Sequence, residues 1–203
     1  MAEVAEVAEE DGKLYMYRKN LKEEHYTLRA RQDKYPARSV YKLQQIDEKF
    51  NLIRKGDNIL DLGCAPGSWL LYLAKRGRVI GIDMREINIA LPQNAKFIKQ
   101  NINEFKINKK FDVILSDMAP NTSGDHDIDV AKSIELCEKA LEIVKTNLKK
   151  GGNFLCKIFE GKGMQDFFKE VKKSFNFAKI YKPLASRKES RETYILGKNH
   201  GAN

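Results

Sequence analysis

Residues 58–69 read NILDLGCAPGSW, and the fold turns on how they are read. Ile59 and Leu60 end an apolar run, Asp61 closes it, and Gly63, Pro66 and Gly67 break the backbone. Trp69, Leu70, Leu71 and Leu73 then begin an apolar pattern of helical spacing. A strand, a tight glycine turn and a helix start, in that order, make a cradle for a nucleotide or cofactor. The glycines let the backbone approach a ligand closely, and the helix start offers free N–H groups. The spacing is G-x-x-x-G after an acid, not the G-x-G-x-x-G of dinucleotide binders. An acid beside the turn repels a pyrophosphate but suits a cationic amino acid. The ligand favoured is therefore S-adenosylmethionine, with its ammonium, sulfonium and ribose hydroxyls. The bland alternative is a β–α turn that binds nothing.

Outward from this stretch, strands and helices alternate. Upstream, Pro36 is followed by a helix with Val40, Leu43, Ile46 and Phe50 on its apolar stripe, which leaves Lys42 off that stripe. Downstream, the pattern predicts a helix near 67–75 and strands at 78–82, about 96–99 and 111–116. A helix near 128–149 follows, stopped by Gly151-Gly152, then a strand at 153–159 and a helix at 163–175. Two closing strands, about 177–182 and 193–197, bracket the polar loop Ser186–Arg191. This alternation predicts an α/β fold: a doubly wound, mainly parallel sheet of seven strands with helices on both faces. One domain over residues 13–203 is expected, preceded by a disordered acidic tail over 1–12.

Composition narrows the class. With 42% hydrophobic residues among 203, the chain suits one soluble globule, and no apolar run approaches the roughly 20 residues of a membrane span. The start is acidic and has no signal-peptide pattern, so a cytoplasmic location is expected. Cys64, Cys137 and Cys156 show no C-x-x-C pairing and read as reduced thiols, while scattered histidines argue against a metal site. The net charge of +9 is uneven: five acids and no base fall in the first eleven residues, leaving 37 basic against 23 acidic residues on the body. Such a surplus points to a polyanionic partner, most often nucleic acid; lysines merely decorating solvated faces are the alternative. From about residue 14 to 36, a basic helical segment interleaves tyrosines with Arg18, Lys22, Arg29, Arg31 and Lys34, and Arg38 follows it. These six are the candidate RNA-binding residues, able to hold phosphates beside stacking rings.

Ligands in such sheets bind outside the carboxyl ends of the strands. Asp61, Asp83 and Asp117 all fall at predicted strand ends, and Asp83 lies twenty residues past Gly63, the spacing of a ribose-binding carboxylate. Asn101 sits just past the third strand, where a polar group could meet an adenine edge. Lys157 stands inside the apolar run Phe154–Phe159, where an unpartnered ammonium is costly. Either it snorkels at a sheet edge or it is placed for chemistry. A desolvated lysine beside another cation, here Lys42, has a lowered pKa and can accept a proton, with Asp117 and Glu192 as candidates to orient it.

From about Tyr35 to Lys198 the chain resembles the FtsJ (RrmJ-type) family of S-adenosylmethionine-dependent RNA 2′-O-ribose methyltransferases. The resemblance rests on ARSVYKL (37–43), DLGCAPGSW (61–69), SDMAPNTSG (116–124), CKIFEG (156–161) and SRETYIL (190–196) in that order. It implies a catalytic tetrad at Lys42, Asp117, Lys157 and Glu192. It implies cofactor contacts at Gly63, Pro66, Gly67, Trp69, Asp83, Asn101 and Asp117, which join Asp61 from the residue reading. Ser68 departs from the glycine of many members and also occurs in a branch resembling tRNA-modifying enzymes; Asn101 replaces an aspartate, which should weaken cofactor binding modestly.

The resemblance implies methyl transfer to a ribose 2′-hydroxyl of RNA, with a large-subunit ribosomal RNA uridine as the expected target and a tRNA as the alternative. Lys157 would be the base, with Lys42 helping to keep it neutral and steadying charge on the oxygen. A monomer is expected. Two other readings are a nicotinamide-dependent oxidoreductase using the same turn and a non-catalytic RNA-binding module. The missing dinucleotide spacing counts against the first, and a complete tetrad against the second.

Overall fold

The computed structural model describes residues 25–187 and 189–201. The acidic tail, Arg18 and Lys22 lie outside the described residues. Residues 25–32 are helical (α1), followed by α2 (Val40–Phe50), β1 (Asn58–Leu62), α3 (Ser68–Ala74), β2 (Arg78–Asp83) and β3 (Ala95–Lys99). A 3₁₀ turn at Ile102–Glu104 leads to β4 (Phe111–Ser116), α4 (His126–Asn147), β5 (Leu148–Phe159), α5 (Met164–Ser174), β6 (Phe175–Tyr181) and β7 (Glu192–His200).

The seven strands form one sheet in the order β3-β2-β1-β4-β5-β7-β6. The first five in that order pair in parallel, and β7 runs antiparallel between β5 and β6. The chain thus winds out from β1 in one direction through β2 and β3, then in the other through β4 and β5. This reversal opens a crevice at the carboxyl ends of β1 and β4.

Alternation along each strand divides the core between the two faces. Ile59, Val113, Leu115, Leu155, Tyr194 and Leu196 pack under α2 and α3 with Leu43, Ile46, Trp69 and Leu73. Leu60, Leu62, Ile114, Phe154, Cys156 and Ile195 pack under α4 and α5 with Cys137, Val144, Phe167 and Val171. All three cysteines are free and buried. Among the described residues, no helix is long and apolar enough to cross a membrane.

Most element bounds differ from the sequence reading by a residue or two, β7 runs three residues further, and the junction of α4 with β5 differs most. Gly151-Gly152 does not stop α4; the helix ends at Asn147 and β5 starts directly at Leu148, with both glycines inside the strand. The pairing of β4 with β5 shifts register there, between Phe111 and Val113. Gly151 takes φ 77°, and a side chain on Gly152 would meet the Asp112 carbonyl oxygen at 2.8 Å. The pair forms a bulge that β4 crowds from one side, a constraint set by the neighbouring strand.

Candidate active site

The glycine turn is held to β2 by backbone bonds, with Gly63 N–H and Cys64 N–H both donating to Ile82 O. Gly63 has φ 76°, and a side chain there would collide with Met118 N at 2.8 Å, so the turn after β1 and the residues after β4 lie in close contact. Gly67 has φ 104° and would meet Ile89 at 2.3 Å. Pro66, between them, is exposed.

Asp61, Asp83 and Asp117 come together at this turn. Asp61 is fully buried, and neither carboxylate oxygen has a hydrogen-bond partner among the described residues. Burial first, then the charges of Asp117 and Asp83, push its carboxyl well above the usual range. Asp83 Oδ2 accepts from Ala65 N (2.9 Å) and Oδ1 from Arg85 N (2.9 Å), so it ties the end of β2 to the glycine turn. A cluster of acids with an orphaned buried carboxylate calls for a cation, and the glycines leave room beside it. The residues fit the aminoacyl end of S-adenosylmethionine.

Two expected cofactor residues have structural work here. Trp69 is 2% exposed, donates its indole N–H to Ser39 O (3.1 Å) and packs against Tyr194, so its side chain joins α3 to α2. Asn101 Oδ1 accepts from Asn103 N (3.0 Å) and caps the 3₁₀ turn. Ser68 likewise has a local duty, accepting from Ala37 N at 2.7 Å.

Three of the tetrad residues share one sheet face because the strand period is two. Asp117 continues the Val113, Leu115 side of β4, Lys157 follows Leu155 on β5, and Glu192 precedes Tyr194 on β7. Lys157 stands opposite Tyr194 in the ladder. Its Nζ donates to Asp117 O (2.7 Å) and lies 3.1 Å from Asp117 Oδ1 and 3.7 Å from Glu192 Oε1. Lys42, from α2, pairs with Glu192 Oε2. The four side chains therefore form one connected cluster.

Two corrections follow. Lys42, read as lying off the buried stripe, is 9% exposed, because its ammonium turns inward to Glu192 instead of outward to water. Lys157 was expected to have a lowered pKa; burial does pull it down, but the charges of Asp117 and Glu192 outweigh burial and carry it above the ordinary lysine value. Lys42 does not offset them, since it is spent on Glu192. Burial raises the Glu192 carboxyl, and the two lysines, Lys42 foremost, overcome this and hold it below its usual range.

Two residues near the tetrad escaped the sequence reading. Tyr194, wholly buried, donates its hydroxyl to Asp117 Oδ1 (3.1 Å), and Ser190 Oγ donates to Glu192 Oε2 (3.3 Å). Tyr194 sits in a run that reads as an apolar strand; its hydroxyl partner is 77 residues away and leaves no local signal.

Of the basic candidates, Arg31 and Lys34 are exposed, and Arg38 is half-buried. Arg29 is partly committed: its guanidinium lies 4.9 Å over the Tyr41 ring and 3.6 Å from Asp33.

Residues 35–200 match the FtsJ-like methyltransferase family. The chain is 47% identical over 189 residues to the ribosomal RNA large subunit methyltransferase E of Desulfatibacillum aliphaticivorans, covering 88% of this chain and 91% of that one. It is 46% identical to the protein of the same name from Desulforapulum autotrophicum, covering 89% and 94%. A crystal structure of a Plasmodium falciparum protein described as a ribosomal RNA methyltransferase superposes with a TM-score of 0.73 at 29% identity, covering 82% of this chain and 98% of that one. With its doubly wound sheet, its acid-lined glycine turn and this similarity along nearly its whole length, the chain belongs to the FtsJ-like methyltransferase family.

Proposed function

We propose that this enzyme transfers the methyl group of S-adenosylmethionine to a ribose 2′-hydroxyl of large-subunit ribosomal RNA, at a uridine. The observation that carries the reading is the cluster of Lys42, Asp117, Lys157 and Glu192 directly beside the orphaned carboxylate of Asp61. One half of the crevice suits a cationic cofactor and the other a hydroxyl that must lose a proton.

Asp61 and Asp117 would face the cofactor's positive charges, and Gly63 and Gly67 would let it lie against the backbone. When bound, the cofactor supplies an electrophilic methyl group. Asp117 and Glu192 fix Lys157 Nζ from two sides, so the amine points where a ribose hydroxyl would enter. Lys157 Nζ, in its neutral form, takes the hydroxyl proton, while Lys42 steadies negative charge growing on the oxygen. The exposed cations of α1 and the turn after it would hold phosphates. The ribosomal substrate is favoured over tRNA because the relatives carry that name and because Ser68 has a local structural duty.

The test is methyl transfer from labelled cofactor to large ribosomal subunits from cells lacking the enzyme, with the 2′-O-methyl site mapped afterwards. Labelling of a single uridine in the large-subunit RNA is the expected result. Labelling of tRNA alone, or of none, would overturn the substrate.

A further inference from the structure

The helix α2 carries more than Lys42. One turn on, Gln45 lies on the same side of the helix and spends both ends of its amide on segments outside it. Its Nε2 donates to Tyr26 Oη of α1 (3.1 Å), and its Oε1 accepts from Ala185 N of the loop between β6 and β7 (3.0 Å). That loop runs straight into Glu192. It is anchored to α2 twice, by Ala185 on Gln45 at one end and by Glu192 on Lys42 at the other.

Pro183 and the Ser186 hydroxyl are buried, and other described residues of the loop face outward. Leu184, beside the anchor, is 71% exposed, and Arg191, beside Glu192, is exposed as well. Lys182 Nζ donates to Ser190 O and Glu160 N donates to Arg191 O, which braces the loop from the β5 side. An exposed leucine and cations on a braced loop next to a catalytic acid suit a ribose–phosphate chain with an apolar base face. Across Gln45, α1 presents Arg31, with Lys34 in the turn after it.

We infer that α1 and the described part of the loop after β6, with Leu184 near one end and Arg191 at the other, form one RNA-contacting rim, and that Gln45 is the positioning residue that holds its two halves in register over the tetrad. This rests on the RNA methyltransferase reading above. RNA gripped by α1 is thereby set at a fixed distance from Glu192, and the loop cannot drift without breaking the Ala185 bond.

The substitutions separate the arms. Gln45→Met keeps length and apolar bulk but loses both hydrogen bonds. Gln45→Glu keeps both, because its carboxylate accepts from Ala185 N and from the Tyr26 hydroxyl. Tyr26→Phe removes only the α1 arm. Steady-state methyl transfer to unmethylated large ribosomal subunits is measured for the full chain, with cofactor affinity by calorimetry and Tm alongside. Each lost hydrogen bond is expected to cost about two- to tenfold. Gln45→Met should raise the KM for subunits and lower kcat by such factors, at unchanged cofactor affinity. Tyr26→Phe should raise KM alone, and Gln45→Glu should restore wild-type behaviour. Arg191→Ala should lower the salt dependence of binding to a 20-nucleotide single-stranded RNA by up to about one log–log unit. If wild type methylates the subunits but Gln45→Met matches it in KM and kcat, the clamp is refuted while the enzymatic reading stands. The same holds if Gln45→Met loses cofactor affinity and Tm together, since that marks a purely structural residue. If wild type methylates no RNA, the functional reading fails first.

Discussion

Lys157→Arg tests whether Lys157 removes a proton or only supplies a charge. At an effective dielectric of about 20, the contacts at 3.1 and 3.7 Å correspond to attractions of about 5 and about 4 kcal/mol. Removing an ammonium from water costs several kcal/mol in return. The attractions prevail, consistent with the upward direction of the Lys157 pKa. The resting enzyme therefore holds a proton on Nζ at neutral pH, and the neutral amine is a minority form. Its fraction grows about tenfold per pH unit below the pKa. Single-turnover rates should rise with pH from about 6.5 to 8.5, with both substrates saturating. Arginine keeps the cation near Asp117 and Glu192 but stays protonated in proteins. The variant should bind cofactor and RNA nearly as well as wild type, lose at least about 10²-fold in rate, and show no rise with pH. Rapid-quench assays with labelled cofactor measure both. If the arginine variant keeps most of the rate, or wild type is flat across that range, Lys157 acts through charge and the proton leaves by another route.

Asp61→Asn removes a buried carboxyl that burial and two neighbouring acids disfavour, so Tm should rise while cofactor affinity falls by about 1–3 kcal/mol; scanning calorimetry and titration calorimetry read the two, and a parallel change in both would contradict the assignment. Asp83→Ala should weaken cofactor binding by a similar amount, because it strands Ala65 N–H and Arg85 N–H as well as any ribose hydroxyl; unchanged affinity with an intact fold would retire it as a cofactor residue. Arg31→Ala and Lys34→Ala should each lower the log–log salt slope of RNA binding by up to about one unit, and Arg29→Ala by less, since Arg29 is shared with Asp33 and Tyr41. Equal slopes in all three would mark α1 as a solvated face.

What the sequence disclosed and what it hid divide along the range of the interactions involved. The strand of residues 111–116 is found where alternation and flanking polar residues put it, because a buried central strand writes its pattern into adjacent positions. The glycine turn was legible for the same reason: positive φ at Gly63 and Gly67 is a local demand. The duty of Gly152 was less so, since the Asp112 carbonyl on the neighbouring strand crowds it alongside Leu148. Lys42 shows the limit most plainly. Helical spacing separates it from Leu43 and Ile46, yet its burial is set by Glu192, 150 residues on. Trp69 and Asn101 have polar atoms that serve the fold, at Ser39 and Asn103, and residue type alone cannot divide a capping amide from a ligand-reading one.

The sign of the Lys157 shift follows from how the site counts its charges. Asp61, Asp83 and Asp117 gather at the glycine turn, Asp117 and Glu192 flank Lys157, and Glu192 also pairs with Lys42, so the carboxyl groups of the crevice outnumber its two ammonium groups four to two within a body that is strongly basic overall. The two scales act on different ligands. A basic exterior acts on a polyanion over a distance of about a Debye length, 8–10 Å, whereas an acidic crevice acts only at contact and suits a cation. Asp117 and Glu192 together keep Lys157 protonated at neutral pH. On this arithmetic, any cation seated beside Asp61 and Asp117 lowers the Lys157 pKa, so cofactor binding at neutral pH should release protons from the Lys157 and Asp61 region. Titration calorimetry in buffers of different ionisation enthalpy would count them, and a count of zero would show that Asp61 and Lys157 titrate independently of the cofactor.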